Sequence, residues 1–433
     1  MSRLHPRTVA SAPRRAASAT LVALTLAAAA APSPVLAAMQ DPPTLVFTNA
    51  HVIDPASAEP LEGATVIVRG GRIERVVRGA AAPPAGAQVV DLRGMYLLPG
   101  LIDSHVHISN FAAAERALLS GVTTARSAGG AYFQDVGLRE LARSGAIRSP
   151  ELLASGWHIR PSPGEALFID RPELADLRQG GILGADAMRR MARVMAERRV
   201  DWVKVTATDR AGLPTTDPRN TLYSEAELRA LVEEAAAHGL PVQAHAHGDE
   251  GARNAVVAGV KSIEHGTYLS EATLREMAAR GTYLVPTIAI VTDLTGPGGD
   301  YDDALLQIRG RHMLPRLREM TAAAHRLGVR IVAATDTGYG PESVVRMPHE
   351  LIELVGAGLS PLEAIRAATT VPAEMLGIGD RTGRIAAGYE ADLIVVERNP
   401  LADIANLQDV LLIVNNGRIV SDRLRLSQPA TDD

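Results

Sequence analysis

The middle of the chain alternates short apolar runs with longer amphipathic stretches, and this alternation constrains the fold more than any other feature. Several longer stretches, such as 249–258 and 271–280, are followed by a glycine, as helices commonly are. The apolar runs predict strands at 96–102, 122–125, 152–154, 202–205, 242–244, 262–264, 283–285 and 330–334. Eight strand–helix repeats predict an α/β fold, a TIM-type (β/α)8 barrel, over residues 96–382.

The two ends of the chain have a different pattern. Residues 44–90 and 391–420 contain short alternating apolar runs separated by turns such as Gly70-Gly71 and Asn416-Gly417, which are typical of β-hairpins. We therefore expect residues 39–95 and 383–433 to form one small β-sandwich beside the barrel.

Residues 1–38 have the features of a secretory signal peptide. Four arginines precede an alanine-rich apolar run at 19–31, and Ala37 and Ala38 suit a cleavage site. The run is shorter than the about 20 residues of a membrane span; a disordered alanine-rich tail is the alternative. We expect an exported protein, periplasmic or secreted, with no membrane span in its mature form.

Composition restricts the class of partner. The chain has no cysteine, so no disulfide can stabilise it in an oxidising compartment. Loss of the four leader arginines, with no acidic residue among them, would take the formal net charge from −5 to −9. A mildly acidic chain without a block of lysine and arginine argues against nucleic acid as a partner.

Two pairs of histidines lie where predicted strands end. His105 and His107 follow the first strand, and His245 and His247 follow the fifth. Side chains two residues apart on a strand point to the same side, so each pair can contribute to a metal site. Taken alone, such histidines are more often ordinary hydrogen-bonded residues.

Three further strands carry side chains that fit the same chemistry. His265 follows the sixth strand and Asp336 the eighth. Lys204 lies inside the apolar fourth strand, where an ammonium group is costly unless it is paired. It is either a member of a buried ion pair or a lysine of lowered pKa that can add carbon dioxide. Because the ends of barrel strands meet on one face, the whole set predicts a metal centre there.

These stretches resemble the amidohydrolase superfamily of metal-dependent hydrolases, over nearly all of the chain beyond the leader. The chain looks closest to the imidazolonepropionase-like group, which includes Xaa-Pro dipeptidases, carboxypeptidase-like enzymes and ochratoxin-hydrolysing amidohydrolases. The matching stretches are Pro99-Gly-Leu-Ile-Asp-Ser-His-Val-His107, Asp201-Trp-Val-Lys204, Ala244-His-Ala-His-Gly248, Ile263-Glu-His-Gly266 and Ala334-Thr-Asp-Thr337.

The resemblance implies a site for two divalent metal ions, usually zinc. One ion would be held by His105, His107 and Asp336, and the other by His245 and His265. N-carboxylated Lys204, formed with carbon dioxide, would bridge both ions. His247 would then support a ligand or face the substrate.

The resemblance also implies hydrolysis of an amide in a dipeptide or N-acyl amino acid by a metal-bridging hydroxide. Asp336 would transfer the proton to the departing amine, and His247 would stabilise the oxyanion. His158, Arg160 and Tyr268 are candidates for binding the substrate carboxylate, or else ordinary rim residues. A homo-oligomer is expected, as among relatives.

Other functions remain open at this point. A lactonase, or a cyclic-amide hydrolase or deaminase, could use the same fold; relatives of the second kind commonly lack the lysine of strand four, so Lys204 favours the amidase. A ligand-binding scaffold is disfavoured because all six ligand positions are filled. Residues 155–165 depart from the Gly-Gly-His element of many relatives, which leaves the substrate preference open.

Overall fold

The computed structural model describes residues 41–424, and within them the chain forms sixteen strands and twelve α-helices. The predicted signal peptide lies outside the described residues. The strands are β1 (Leu45–Val52), β2 (Leu61–Arg69), β3 (Arg72–Arg78), β4 (Gln88–Asp91), β5 (Tyr96–Pro99), β6 (Leu101–Val106), β7 (Val122–Ser127), β8 (Glu151–Leu153), β9 (His158–Ile159), β10 (Val203–Thr206), β11 (Val242–Ala246), β12 (Ser262–His265), β13 (Tyr283–Val285), β14 (Leu393–Val396), β15 (Val410–Asn415) and β16 (Arg418–Asp422).

The helices follow the strands of the central region and then lead back to the chain-end strands. They are α1 (Phe111–Leu119), α2 (Gln134–Arg143), α3 (Glu165–Asp170), α4 (Ala185–Glu197), α5 (Glu225–Ala237), α6 (Asp249–Ala258), α7 (Glu271–Arg280), α8 (Ile288–Asp293), α9 (Ala304–Arg326), α10 (Met347–Gly356), α11 (Pro361–Ala367) and α12 (Thr370–Met375). None of the helices in residues 41–424 is both long enough and apolar enough to cross a membrane.

Local sequence signals set several of these limits. Ser224 caps α5 and exchanges hydrogen bonds with Glu227, which satisfies backbone amides that lack a partner in the first turn. α6 and α7 end before Gly259 and Gly281, both in the left-handed conformation that glycine adopts without strain.

Parallel strands of the central region form two sheets. β6, β7 and β8 pair in that order, and β9 to β13 pair in sequence order in the second sheet. β8 and β9 lie on one short stretch of chain, so the chain itself connects the two sheets on this side.

The segment 330–337 lies between β13 and β6 on the other side. It forms two isolated bridges, one from Ile331 to β13 and one from Thr337 to β6. Between them, the amide of Ala333 donates to the carbonyl of Ala367 at the end of α11 instead of to a strand. The strand predicted at 330–334 is therefore not regular, and the described strands do not form a continuously hydrogen-bonded eight-stranded barrel.

The two chain ends share one mixed sheet of eight strands. Its order is β16-β15-β14-β5-β1-β2-β3, with β4 also paired to β1. β14 runs antiparallel to β5, which places a strand from each end side by side. The apolar side chains of this sheet form a cluster separate from the barrel core. The ends thus meet, but in one sheet, and the predicted two-sheet sandwich is not confirmed.

The apolar run 96–102 divides between the two regions. β5 pairs within the chain-end sheet, whereas β6 pairs with β7 in the central region. Gly100 lies between them, and a Cβ there would approach the Thr123 hydroxyl oxygen to 2.2 Å. Only glycine allows the chain to pass from one sheet to the other at this separation.

Asp392, directly before β14 of the chain-end sheet, makes the stability of the protein depend on pH. Its carboxylate is buried beside β14 and accepts a hydrogen bond from the Asn416 amide. Burial raises the pKa of Asp392 to about 7, whereas an unfolded aspartate titrates near pH 4. The folded protein therefore binds a proton that the unfolded chain has released, and stability falls as the pH rises from about 4 to about 7.

We expect Asp392→Asn to remove this loss, because the amide carries no charge to desolvate. The difference in unfolding free energy between Asp392→Asn and the unsubstituted protein should grow in favour of the variant by up to about 4 kcal/mol as the pH rises from 4 to 8. Urea unfolding at several pH values measures the difference, with Asp186→Asn on the exposed surface of α4 as the control. A difference that is the same at every pH would contradict the assignment.

Candidate metal centre

The predicted ligands converge where the central strands end. His105, Lys204, His245 and His265 lie on β6, β10, β11 and β12, and Asp336 lies in the segment 330–337. Together with His107 and His247 they line one cavity. Parallel strands bring their carboxyl ends to the same edge, so residues far apart in sequence meet there.

His105, His107 and Asp336 form the first group of potential ligands. The Nε2 atoms of His105 and His107 lie 3.2 Å and 3.1 Å from Asp336 Oδ1. Their ligand atoms all lie within 4.8 Å of one another. This separation is compatible with a single divalent cation bound by two imidazoles and a carboxylate.

His245, His247 and His265 form the second group, also with ligand atoms within 4.8 Å of one another. Their ring centroids are 4.6–4.9 Å apart. His247, for which the sequence predicts a supporting or substrate-facing role, lies as close to the group as the two predicted ligands. His265 connects the groups, because its Nδ1 is 4.0 Å from Asp336 Oδ2.

Hydrogen bonds on the Nδ1 atom orient four of these histidines. The Nδ1 atoms of His105, His107, His247 and His265 contact Glu264 (2.7 Å), the Gly129 carbonyl (3.4 Å), Thr267 (2.9 Å) and Thr287 (2.8 Å), respectively. The carboxylate of Glu264 and the carbonyl of Gly129 can only accept, so they leave Nε2 of His105 and His107 available to a cation; a threonine does the same where its hydroxyl accepts. His245 is reversed, because its Nε2 lies 3.2 Å from the Asp209 carbonyl and its Nδ1 is the available nitrogen.

The backbone is strained where two of the ligands lie. His265 and Asp336 have φ angles of 75° and 56°, and Thr287, which contacts His265, has a φ of 51°. A residue with a side chain pays of order 1–3 kcal/mol to adopt this left-handed conformation. The conformation turns the chain sharply at the strand end, and the surrounding hydrogen bonds keep it there.

A fully buried ion pair lies behind His105. Arg126 Nη2 is 2.9 Å and 3.0 Å from the two carboxylate oxygens of Glu264, and neither side chain is exposed. The guanidinium also stacks 4.6 Å over the ring of Trp202. Burial alone would raise the pKa of Glu264, but Arg126 and His105 outweigh it and hold the pKa at about 2. The charged carboxylate therefore keeps the proton of His105 on Nδ1 and leaves Nε2 for the cation.

Lys204 is buried beside both groups without a partner. Its Nζ makes no hydrogen bond or ion pair with any residue in the described range 41–424. The alternative of a buried ion pair is therefore not found. Burial lowers the pKa of Lys204 to about 8, although the carboxylates of Glu264 and Asp336 act in the opposite direction.

Burial also sets the protonation of the other ligands. It lowers the pKa of His245 and His265 well below the ordinary value, and that of His247 to about 3. These imidazoles are neutral at physiological pH, which is the state that binds metal ions. Burial would raise the pKa of Asp336, but the neighbouring His105 and other histidines hold it well below its usual range.

The three predicted substrate residues lie in different places. His158 lines the same cavity, and its ring is 5.7 Å from that of His107. Arg160 lines an adjoining, wider cleft. Tyr268 lines neither space; its ring packs 6.3 Å from His312.

Sequence reasoning missed several residues of the site. Arg210 and Tyr301 line both the inner cavity and the wider cleft, but both belong to irregular segments whose position depends on the tertiary structure. Glu264 and Arg126 could have been recognised from the sequence, because Glu264 lies in a predicted strand, Arg126 directly follows one, and a charged side chain is rarely buried without a partner.

Glu264→Gln tests the support of His105. We expect about 10- to 100-fold weaker metal binding, because the neutral amide no longer fixes the ring. The variant should also lose about 3–5 kcal/mol of unfolding free energy, since Arg126 becomes an unpaired buried charge. Chelator competition measures the first effect, and urea unfolding of the metal-free protein measures the second.

The double variant Arg126→Met/Glu264→Gln separates these effects. It removes the unpaired charge and should recover most of the stability, while metal affinity stays low. Affinity equal to that of the unsubstituted protein in either variant would exclude a role for Glu264 in orienting His105.

The chain is similar to known hydrolases along most of its length. Residues 96–420 match the amidohydrolase family. Ochratoxinase from Aspergillus niger is 27% identical over 419 residues, covering 87% of this chain and 86% of that protein. Imidazolonepropionase from Chromobacterium violaceum is 29% identical over 402 residues, covering 83% and 92%.

A crystal structure of a Xaa-Pro dipeptidase with methionine bound in the active site superposes with a TM-score of 0.79. It is 27% identical and covers 87% of this chain and 100% of that one. These relatives imply a TIM-type barrel for the central region, and the two groups of His and Asp ligands agree with the divalent metals that the family typically uses. The chain therefore belongs to the amidohydrolase family and is a metal-binding hydrolase of amide or other carbon–nitrogen bonds.

Proposed function

We propose that this protein is a binuclear metal-dependent amidohydrolase that cleaves an amide bond in a dipeptide or N-acyl amino acid. One observation carries the proposal: two groups of potential ligands lie beside a single buried lysine that has no partner among residues 41–424. The similarity to a Xaa-Pro dipeptidase and an ochratoxinase supports an amide as the bond that is cleaved.

The residues present fit two divalent cations, zinc in this proposal. His105, His107 and Asp336 would hold one, and His245 and His265 the other. When bound, two such cations supply a water-derived nucleophile at neutral pH and polarise the scissile carbonyl.

Lys204 would complete the site as a carbamate. Its ammonium group loses one proton, and the neutral amine then adds carbon dioxide and releases a second proton, so a buried cation is replaced by an anion with two oxygen ligands. The chain contains only two lysines, Lys204 and Lys261, among 44 basic residues. Arginine cannot form a carbamate under these conditions, which supports a specific need for lysine on β10.

Asp336 and His247 would move and hold charge during the reaction. Asp336 is a carboxylate next to both groups, so it can accept a proton at Oδ and deliver it to the departing amine. If the Thr267 hydroxyl donates to Nδ1 of His247, the ring proton lies on Nε2 and can stabilise the oxyanion. The opposite tautomer would make His247 a third ligand of the second cation.

An apolar wall adjoins the ligand groups. Ile290 and Val291 of α8, Leu294 and Met313 line the same cavity as the histidines. This wall would bind an apolar part of the substrate and keep water away from the rest of the amide. The predicted leader, residues 1–38, supports the further proposal that the enzyme acts in the periplasm or outside the cell; a homo-oligomer stays a prediction.

Lys204→Arg tests the carbamate. We expect the metal content to fall from about two ions per chain to one or fewer, and kcat/KM to fall at least about 100-fold. After equilibration with 13C-bicarbonate, the unsubstituted protein should show one carbamate carbon resonance that Lys204→Arg lacks. Lys261→Arg, at the other lysine, is the control and should keep the resonance, the metal and the activity. Full metal content and activity in Lys204→Arg would refute the bridging role.

A substrate panel tests the bond that is cleaved. Dipeptides and N-acyl amino acids should be hydrolysed at least about tenfold faster, in kcat/KM, than lactones and cyclic amides of similar size, and chelation should abolish the activity. The similarity to an imidazolonepropionase makes the cyclic amide the most informative competitor. Hydrolysis confined to esters and lactones would defeat the amidase proposal.

A further inference from the structure

Two arginines face the wide cleft beside the metal groups. Arg160 follows β9, and Arg210 follows β10 by four residues. Both line a cleft of about 730 Å³ together with His107, His158 and Asp336. Arg210 also lines the inner cavity, so it lies where the cleft and the ligand groups meet.

Neither arginine has an acidic partner within residues 41–424. No carboxylate oxygen lies within 4.0 Å of either guanidinium, unlike Arg126, Arg139 and Arg190, which all pair with acids. Arg160 Nη2 donates to the Pro163 carbonyl at 3.1 Å, but its buried Nε has no acceptor. The positive charge of Arg210 lies near the Tyr301 hydroxyl and acts to lower its pKa, although Asp336 and burial outweigh it.

The two positive charges act on each other. Burial, and then the charge of Arg210, lower the pKa of Arg160. Two like charges in a partly desolvated cleft repel each other, and one anion placed between them removes the repulsion and gains hydrogen bonds from both. A planar guanidinium matches the two oxygens of a carboxylate better than any other side chain does.

The acids of the cleft are already engaged or exposed. Asp300 accepts hydrogen bonds from the hydroxyls of Thr337 and Ser343. Asp336 faces the histidines of the first group, and Glu342 is exposed to solvent. Within residues 41–424 no acid pairs with the two arginines, which leaves them available to an anion from a bound molecule.

We propose that Arg160 and Arg210 bind the carboxylate of the amino-acid half of the substrate, and that Arg210 is the main determinant of specificity. The inference rests on the proposed function, since it assigns one end of that substrate to the cleft. In an N-acyl amino acid a single carbon separates the carboxylate from the amide nitrogen. A cation beside the ligand groups is thus where such a carboxylate would lie when the amide reaches them.

A pair of substrates tests this recognition. N-acetylphenylalanine and N-acetylphenethylamine carry the same amide and differ only in the carboxylate. The acid should be hydrolysed with a kcat/KM about 10- to 150-fold higher, the range expected for hydrogen bonds to a charged group. Arg210→Gln should remove most of this ratio by raising KM for the acid, while the rate for the uncharged amide is retained.

Further variants keep the test decisive if Arg210→Gln folds poorly. Arg210→Lys keeps the charge but not the paired donors and should give an intermediate ratio. Arg160→Gln should lower the ratio by a smaller factor. Arg189→Gln removes a surface arginine of α4 and should leave the ratio unchanged. An unchanged ratio in Arg210→Gln, or no preference for the acid in the unsubstituted protein, would overturn the inference.

Binding measurements separate this inference from the proposed function. If calorimetry shows that the acid binds to the metal-loaded protein and binds at least tenfold more weakly to Arg210→Gln, but no amide is cleaved, the carboxylate site stands and the amidase proposal fails. If both amides are cleaved equally well by all variants, the amidase stands and the carboxylate site fails. Equal binding of the acid to Arg210→Gln and the unsubstituted protein would show that Arg210 does not hold the carboxylate and would overturn its assignment.

Discussion

The ion pair between Arg126 and Glu264 is the interaction on which the rest of the centre depends. Both charges have left water completely, which costs several kcal/mol for each ion before their attraction is counted. A pair of apolar residues would fill the same space more cheaply. What the pair provides is an anionic acceptor behind His105, held on β12 by a cation from β7. The orientation of a ligand and the folding of the core thus depend on the same contact.

A second buried acid explains the irregular segment 330–337. Asp103 of β6 accepts hydrogen bonds from the Thr335 amide and hydroxyl and from the Tyr339 hydroxyl. These side-chain contacts replace part of the backbone ladder that a regular eighth strand would form with β6. At Asp336, whose amide still donates to the His105 carbonyl, the chain adopts the left-handed conformation that turns this carboxylate towards the histidines.

The sequence predicts the parts of this protein that depend on local pattern. It does not predict the parts that depend on which strands pair with each other. Seven of the predicted strands overlap observed ones, and the metal-ligand candidates are recognisable because strand ends meet on one edge. The prediction of a regular eighth strand is wrong because the amide of Ala333 donates to the carbonyl of Ala367, a contact that no local pattern encodes. The predicted two-sheet sandwich is not confirmed. The alternation of apolar residues specifies which face of a strand is apolar, but not which strand lies next to it. Arg210 and Tyr301 could not be predicted as site residues, because only the folded chain brings their irregular segments to the cavity.

The pairing of β5 with β14 has a consequence for how the protein is made. These neighbouring strands are roughly 300 residues apart in sequence, so the chain-end sheet has the long loop closure of a slow-folding topology. While the ribosome synthesises the barrel region, β5 has no partner on the side that β14 will occupy. Its apolar residues and free backbone groups are exposed until almost the whole chain has emerged, which is when a nascent protein is most prone to aggregate or to need a chaperone. The order of synthesis thus leaves the assembly of this sheet to the end.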